Sequence, residues 1–504
     1  MTQRREVEKI KTGISGLDVI SLGGLPSGRT TLLAGTAGSG KTLLAAQFLA
    51  QGIHGFDQPG VFVTFEESPE AIRCNMASMG WDIQTWEDEG KWAFVDASAQ
   101  VGEEASLVVG DYDMAALLAR IESASRKIGA VRMVLDSLGA VFTRFGDSAV
   151  VRNELLRVAH VLHSLEVTAV MTAERTEEYG PISRQGVEDF VADNVIVLRN
   201  VLDDEKRRRT VEVLKFRGTS HQKGEFPFTI LPGEGFVVIP LSEVELEHES
   251  SNLRITSGSQ ELDDMCGGGF YRDSIVLVSG ATGAGKTLMV TEFIAGGVRN
   301  NERCLLFAYE ESREQFFRNA SGWGVDLRPM EKAGLLKVVC EYPEASSLED
   351  RLVSMRRILK EFKPNRMAID SLSALERVST NKGFRDFVIG VTSFLKQQET
   401  AGLFTSTTPS LMGGESVTEA HISTLTDSII LLRYVEMFGE MRRGMTVLKM
   451  RGSQHDKNIR EFTIDGDGMH IGEAFRNVTG ILSGNPTHVE VTEKARLEGL
   501  FAGK

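Results

Sequence analysis

The sequence predicts an α/β protein built from two consecutive modules, each a mostly parallel sheet flanked by helices. Three observations predict it. Four motifs recur in the same order in the two halves, a duplication that marks repeated units. Short apolar runs (TTLLAG, GVFVTF, MVLDS and TAVMTAE in the first half) read as buried strands and alternate with helical patterns such as KTLLAAQFLAQGI, the signature of strand–helix–strand units. The chain of 504 residues is also too long for one ordinary domain and comfortable for two. The seam falls in the charged, Ser-rich stretch LSEVELEHESSNLRITSG, which sets domains at 1–246 and 247–504.

The first motif is GTAGSGKT (Gly35, Thr36, Ala37, Gly38, Ser39, Gly40, Lys41, Thr42), repeated as GATGAGKT (Gly280, Ala281, Thr282, Gly283, Ala284, Gly285, Lys286, Thr287). A strand leads into each and a helix follows. Glycines let the backbone N–H groups wrap phosphates, and the helix N-terminus adds partial positive charge. Lys41 and Lys286 reach the β- and γ-phosphates of ATP, and Thr42 and Thr287 hold Mg²⁺. The second motif puts the pairs Glu66–Glu67 and Glu310–Glu311 after apolar strands; a carboxylate beside the γ-phosphate can orient or deprotonate a nucleophile. In the third, Asp136 and Asp370 end apolar strands, where a Mg²⁺-coordinating Walker B carboxylate sits. The last is KFRGTSH from Lys215 and KMRGSQH from Lys449. Lys215 with Arg217, and Lys449 with Arg451, are cations able to neutralise a transferring phosphoryl group, although spacing alone equally allows surface charge.

Bulk properties exclude several classes. The net charge of -14 disfavours nucleic acid and acidic membranes as partners; the run Lys206–Arg209 is offset by Asp203, Asp204 and Glu205 and reads as a solvated hairpin. No apolar run is long enough to cross a bilayer, and the charged N-terminus lacks a signal-peptide core; a cytoplasmic protein is expected. Cys74, Cys266, Cys304 and Cys340 are far apart and are expected to be buried, reduced thiols, not a disulfide framework or zinc site.

Beyond the single motifs, ERTEEYGPISRQGVEDFVADNVIVLRNVLDDEKRRRT, LDDMCGGGFYRDSIVL, HISTLTDSIILLRYVE and KMRGSQHDKNIREF resemble the KaiC family of circadian-clock proteins, over essentially the whole chain. That resemblance implies two tandem RecA-like P-loop NTPase domains, CI and CII, stacked as two rings of a homohexamer with ATP between neighbouring subunits. It implies ATP hydrolysis in CI with Glu66 and Glu67 as catalytic carboxylates. In CII, Glu310 is the implied general base, with Glu311 beside it at the Mg²⁺. Lys215, Phe216, Arg217, Thr219 and His221, and Lys449, Met450, Arg451, Ser453 and His455, carry over as ATP-binding residues, each Lys–Arg pair acting on nucleotide held by the next subunit. The implied acceptors of autophosphorylation, and sites of autodephosphorylation, are Ser423 and Thr424.

The duplication bears on those acceptors. When Asp427 is aligned with Asp193, Ser423 falls opposite Asp189 and Thr424 opposite Phe190, so only the second half offers hydroxyls. The first-half stretch GEEASLVVGDYDMAALLARI resembles the KaiB-binding neighbourhood, which makes KaiB an expected partner. The tail after SGNPTHVEV is shorter than the family's KaiA-binding tail, so the resemblance leaves KaiA open as a partner. Gln454 stands where the cyanobacterial proteins usually carry Trp. Two other classes share the fold: a nucleic-acid motor, which needs a basic channel the acidic chain does not offer, and a nucleotide-gated scaffold, which needs no phosphate on Ser423 or Thr424.

Overall fold

The structure is a computed structural model; it describes residues 7–98, 114–137, 139, 148–182, 191–203, 206–240, 250–408, 422–476, 478–481 and 487–488. The chain divides into two compact units, Met1–Glu243 and Val244–Lys504.

In the first unit the main strands are β1 (Thr30–Gly35), β2 (Gly60–Thr64), β3 (Trp92–Asp96), β4 (Arg132–Asp136), β5 (Thr168–Glu174), β6 (Asn194–Asp203), β7 (Lys206–Phe216), β8 (Glu225–Leu231) and β9 (Gly235–Val238). They form one sheet in the order β3-β2-β4-β5-β1-β6-β7-β8-β9. The six strands from β3 to β6 pair in parallel; β6 to β9 continue antiparallel. The basic run opens β7, with Lys206 opposite Asp203 across a hairpin.

The second unit repeats this strand for strand: β10 (Ile275–Gly280), β11 (Cys304–Ala308), β12 (Leu336–Cys340), β13 (Arg366–Asp370), β14 (Ala401–Thr407), β15 (Ser428–Met437), β16 (Glu440–Met450), β17 (Arg460–Asp465) and β18 (Gly468–Ala474). Their order, β12-β11-β13-β14-β10-β15-β16-β17-β18, is the same permutation. Equal topology from two sequence halves follows from equal patterning of the strands.

The parallel strands read as continuous apolar runs because both faces are covered. Alternation splits their side chains into two layers. In the first unit Leu33, Phe62, Val134, Val170 and Ile196 pack with the helix α1 (Lys41–Phe56). Leu32, Val61, Val63, Met133, Leu135 and Met171 pack on the other face with α2 (Met114–Ile128) and α3 (Ser148–Ser164).

Each parallel sheet carries a buried arginine at the start of its third-ranked strand. Arg132, fully buried, donates from Nε to Gln58 Oε1 at 2.8 Å, from Nη1 to the Phe48 carbonyl at 2.7 Å and from Nη2 to the Lys11 carbonyl at 2.6 Å. Its counterpart Arg366 donates to the Thr256 carbonyl at 2.6 Å, to the Phe293 carbonyl at 3.1 Å and to the Glu302 carboxylate. These guanidinium groups tie the segment before the phosphate loop, and the helix after it, to the sheet.

All four cysteines are free thiols, and Cys266 and Cys304 are buried. Cys340 and Cys74 correct the expectation: Cys340 is only half-buried and Cys74 is exposed, because the helix Pro69–Ala77 buries Pro69, Ile72 and Met76 and Cys74 falls on the outer side of that stripe. Among the described residues no helix is long and apolar enough to cross a membrane.

Candidate nucleotide site

In each unit the phosphate loop leaves the central strand and turns into a helix. Gly40 caps α1 with φ 92°, and Gly285 caps α4 (Lys286–Arg299) with φ 107°; an L side chain rarely adopts this left-handed backbone. Lys41 Nζ donates to the Thr36 carbonyl at 2.9 Å. Lys286 Nζ donates to the Gly280 and Ala281 carbonyls, both at 2.9 Å. Burial lowers both ammonium pKa values; Glu174, Asp136, Glu66 and Glu178 oppose this at Lys41, and Asp370 with Glu310 oppose it at Lys286.

The strand-end carboxylates converge on these lysines. Asp136 accepts a hydrogen bond from Thr172, and Asp370 accepts one from Thr405 and one from Thr287. Desolvation pushes the Asp370 carboxyl above the ordinary range, against these hydroxyls. The Asp–Ser peptide that follows is cis in both units. In the glutamate pairs, the first member faces across the site: Glu66 accepts from Ser137 Oγ at 3.1 Å, and Glu310 pairs with Arg377 at 2.7 Å. The second is held from its own side. Asn75 Nδ2 donates to Glu67 at 3.1 Å, and Asn319 Nδ2 donates to Glu311 at 3.0 Å. Burial raises the carboxyl pKa of both Glu67 and Glu311; nearby Asp136 or Asp370 adds to it, and the asparagine bond opposes it. Asn75, Asn319, Thr172 and Thr405 escaped the sequence reading, although each recurs at the same place in both halves, which is the signal that finds them.

Such a site is a phosphate cradle lined with hard oxygen donors. Among the described residues there is no cluster of three His, Cys, Asp or Glu side chains that could hold a metal ion. The carboxylates beside each loop lysine fit Mg²⁺, which is usually held by one or two carboxylates together with substrate phosphates.

A family model described as "ATPase: KaiC" matches residues 10–243 and 255–475. The chain belongs to the KaiC family of ATPases. It is 68% identical over 498 residues to the circadian clock protein KaiC3 of Synechocystis sp., covering 99% of this chain and 98% of that protein. It is 56% identical over 500 residues to the circadian clock oscillator protein KaiC 1 of the same organism, covering 99% and 96%. To the circadian clock oscillator protein KaiC of Thermostichus vulcanus it is 54% identical over 499 residues, covering 99% and 95%.

In this KaiC-family chain the late Lys-x-Arg motifs lie away from their own unit's phosphate loop. Lys449 Nζ donates to the carbonyls of Ser423 at 2.9 Å and Thr426 at 2.6 Å. Arg451 Nη2 donates to the Thr424 carbonyl at 3.0 Å, and Asp427, bonded to Ile275 N at 3.0 Å, anchors the turn to the start of β10. Ser423 and Thr424 close a short 3₁₀ turn, Ile422–Thr424. The phosphate loop begins at the other end of β10, after Gly280. Six residues of strand separate the two ends, roughly 17 Å at about 3.3 Å per step. The first unit repeats the layout: Lys215 Nζ donates to the Ala192 carbonyl at 2.9 Å, Arg217 lies 3.6 Å from Asp193, and Asp193 accepts from Thr30 N at the start of β1.

The remaining motif residues differ in what they expose. Phe216 and Met450 turn into the core, which leaves their backbone for any nucleotide contact. Ser453 Oγ accepts from Arg254 Nη2 at 2.6 Å and donates to the Gln454 carbonyl at 2.9 Å. Thr219 is half-buried in the turn after β7. His221 packs edge-on against Phe216 at 5.5 Å; His455 Nδ1 is buried with no hydrogen-bond partner. Asp189 and Phe190, most of the stretch expected to meet KaiB, and the C-terminal tail lie outside the described residues.

Proposed function

We propose that this KaiC-family ATPase is a clock-type core protein whose first domain (1–246) hydrolyses ATP and whose second (247–504) phosphorylates and dephosphorylates Ser423 and Thr424. The observation that carries the kinase reading is the separation of acceptor and donor. Ser423 and Thr424 stand at the start of β10 and their own phosphate loop at its end, so a γ-phosphoryl held by Lys286 cannot reach them. A second copy that sets its phosphate loop against this turn does reach them, and Lys449 and Arg451, fixed beside the turn, then face the transferring group. This supports transfer between subunits and assembly into a ring, here a homohexamer.

In the transfer, Glu310 takes the proton from the Ser423 or Thr424 hydroxyl. The bond between the γ-phosphorus and the β-bridging oxygen breaks, one forms to the acceptor oxygen, and ADP leaves; dephosphorylation onto ADP reverses these steps. Mg²⁺ supplies neutralisation of the phosphate charge, with Thr287, Asp370 and Glu311 in the second domain, and Thr42 and Asp136 in the first, as the residues that would hold it. In the first domain Glu66 and Glu67 orient water in place of the acceptor. KaiB, in the cytoplasm, is the partner that the 102–121 stretch supports by resemblance.

Mixed subunits test the reading. Lys286→Ala protein keeps its acceptors and loses its phosphate contact; a Ser423→Ala/Thr424→Ala protein keeps the kinase and loses the acceptors. After co-assembly with Mg-ATP, phosphopeptide mass spectrometry is expected to find phosphate on Ser423 and Thr424 of the Lys286→Ala chains, abolished when Glu310→Gln is placed in the donor chain. Phosphate absent from the mixture and from the unaltered protein would leave an ATPase without the kinase.

A further inference from the structure

The two phosphate loops differ in how they are held. In the first unit, Thr36 Oγ1 donates to Glu178 Oε1 at 2.6 Å, and the other carboxylate oxygen of Glu178 accepts from the backbone N–H of Asn200 in β6 at 3.0 Å. One side chain thus ties the loop to a sheet strand. The turn that carries Glu178 is itself braced. Arg175 N donates to the Gly35 carbonyl at 3.0 Å, its guanidinium bonds the carbonyls of Gly180 at 2.7 Å and Pro181 at 3.0 Å, and Tyr179 lies under Arg199 at 5.2 Å.

At the matching sequence positions the second unit carries neither residue. The residue after Gly280 is Ala281, where the residue after Gly35 is Thr36. Gly35 pairs with Glu174 and Gly280 with Thr407; beyond Thr407 the chain runs Thr-Pro-Ser-Leu-Met through Met412, with no carboxylate. Asn200 is replaced by Tyr434, whose hydroxyl stands 3.5 Å from the Thr282 carbonyl. Donor and acceptor are present together in one unit and absent together from the other, as expected of a pair that acts as one.

We propose that Thr36 and Glu178 form a latch that holds the first unit's phosphate loop in its binding shape, making Glu178 a positioning residue for nucleotide in that unit alone. A glycine-rich loop loses backbone freedom when it wraps phosphates, on the order of 1–2 kcal/mol per residue fixed, and a loop fixed in advance loses less on binding. Glu178 acts by position more than by charge. It comes last among the carboxylates that act on Lys41, after Glu174, Asp136 and Glu66, and both its oxygens are already engaged.

The inference rests on the first unit binding nucleotide, and the test separates the two. In full-length protein carrying Lys286→Ala, ATP binding by the first unit is titrated calorimetrically, with circular dichroism confirming the fold. Thr36→Ala and Glu178→Leu are each expected to weaken binding about tenfold, the effect of one hydrogen bond to a charged group. The double variant is expected to be no weaker than the worse single one, because the pair is broken once. Thr36→Ser, which keeps the hydroxyl, is expected to bind as the parent does, and ATP hydrolysis is expected to show the loss in KM with kcat little changed. Unchanged affinity in both single variants, additive losses in the double, or a Thr36→Ser loss equal to that of Thr36→Ala would each overturn the latch. Lys41→Ala that still binds ATP in this background would overturn the nucleotide site itself, and the latch with it.

Discussion

Replacing Glu302 with alanine is expected to destabilise the second unit by about 3 kcal/mol, and with glutamine by only about 1 kcal/mol. The side chain of Arg366 is 1% exposed and that of its partner Glu302 is 21% exposed. Breaking a fully buried pair by removing one member costs roughly 3–5 kcal/mol, because a charge is left uncompensated; the partial exposure of Glu302 sets the lower end. The glutamine figure comes from the molecule itself. In the first unit, Arg132 is equally buried and meets the neutral Gln58 at the matching place, at 2.8 Å. Burial pulls the Arg132 pKa down to about 10, which leaves it charged at neutral pH, so an amide oxygen suffices when the other donors reach carbonyls.

The assay is urea denaturation, since urea does not screen the pair, read for each unit separately by pulsed hydrogen exchange and mass spectrometry; a two-unit chain has no single unfolding transition to fit. For a unit of this size about 1 kcal/mol corresponds to roughly 2–4 °C in melting temperature, so the alanine variant melts about 6–12 °C lower. Equal shifts for alanine and glutamine, or an alanine loss below about 1 kcal/mol, would refute the reasoning that charge compensation, and not packing, holds this corner.

Three further outcomes are expected. Asn75→Ala and Asn319→Ala remove the bond that opposes the rise in the carboxyl pKa of Glu67 and Glu311; in the proposed roles these groups act ionised, so the acid limb of the pH–rate profile is expected to move to higher pH, for ATP hydrolysis with the first and for acceptor phosphorylation with the second. Thr405→Val takes a donor from Asp370, raising its carboxyl pKa further, and is expected to raise the Mg²⁺ concentration for half-maximal phosphorylation about tenfold, the size of one charge-assisted hydrogen bond. Arg451→Ala removes one hydrogen bond to the Thr424 carbonyl and the contact with Asp427; phosphorylation of Ser423 and Thr424, followed by mass spectrometry, is expected to fall more than tenfold, with Arg451→Lys recovering only part because it lacks the forked geometry.

The architecture was legible in the order of residues alone. Strand patterning and the duplicated loop motifs specify which segments form the sheet, because apolar runs buried on both faces and glycines with left-handed backbone tolerate few alternatives. The sequence also marked Asp136 and Asp370, whose chemistry is bound to their position at strand ends, and Lys41 and Lys286, which open the helices after the phosphate loops. Contacts between residues distant in sequence emerged only with the folded chain. Thr172 on Asp136 and Glu178 on Thr36 are hydrogen bonds across 36 and 142 residues of chain, and no local pattern encodes such a pairing. The direction of the Lys-x-Arg motifs was likewise settled only by strand pairing: β15 runs parallel to β10, which sets Ser423, Thr424 and Arg451 at the opposite end of the sheet from the loop they resemble partners of in sequence. Cys74 was misjudged for the same reason, since a residue's side of a short helix depends on what the helix packs against.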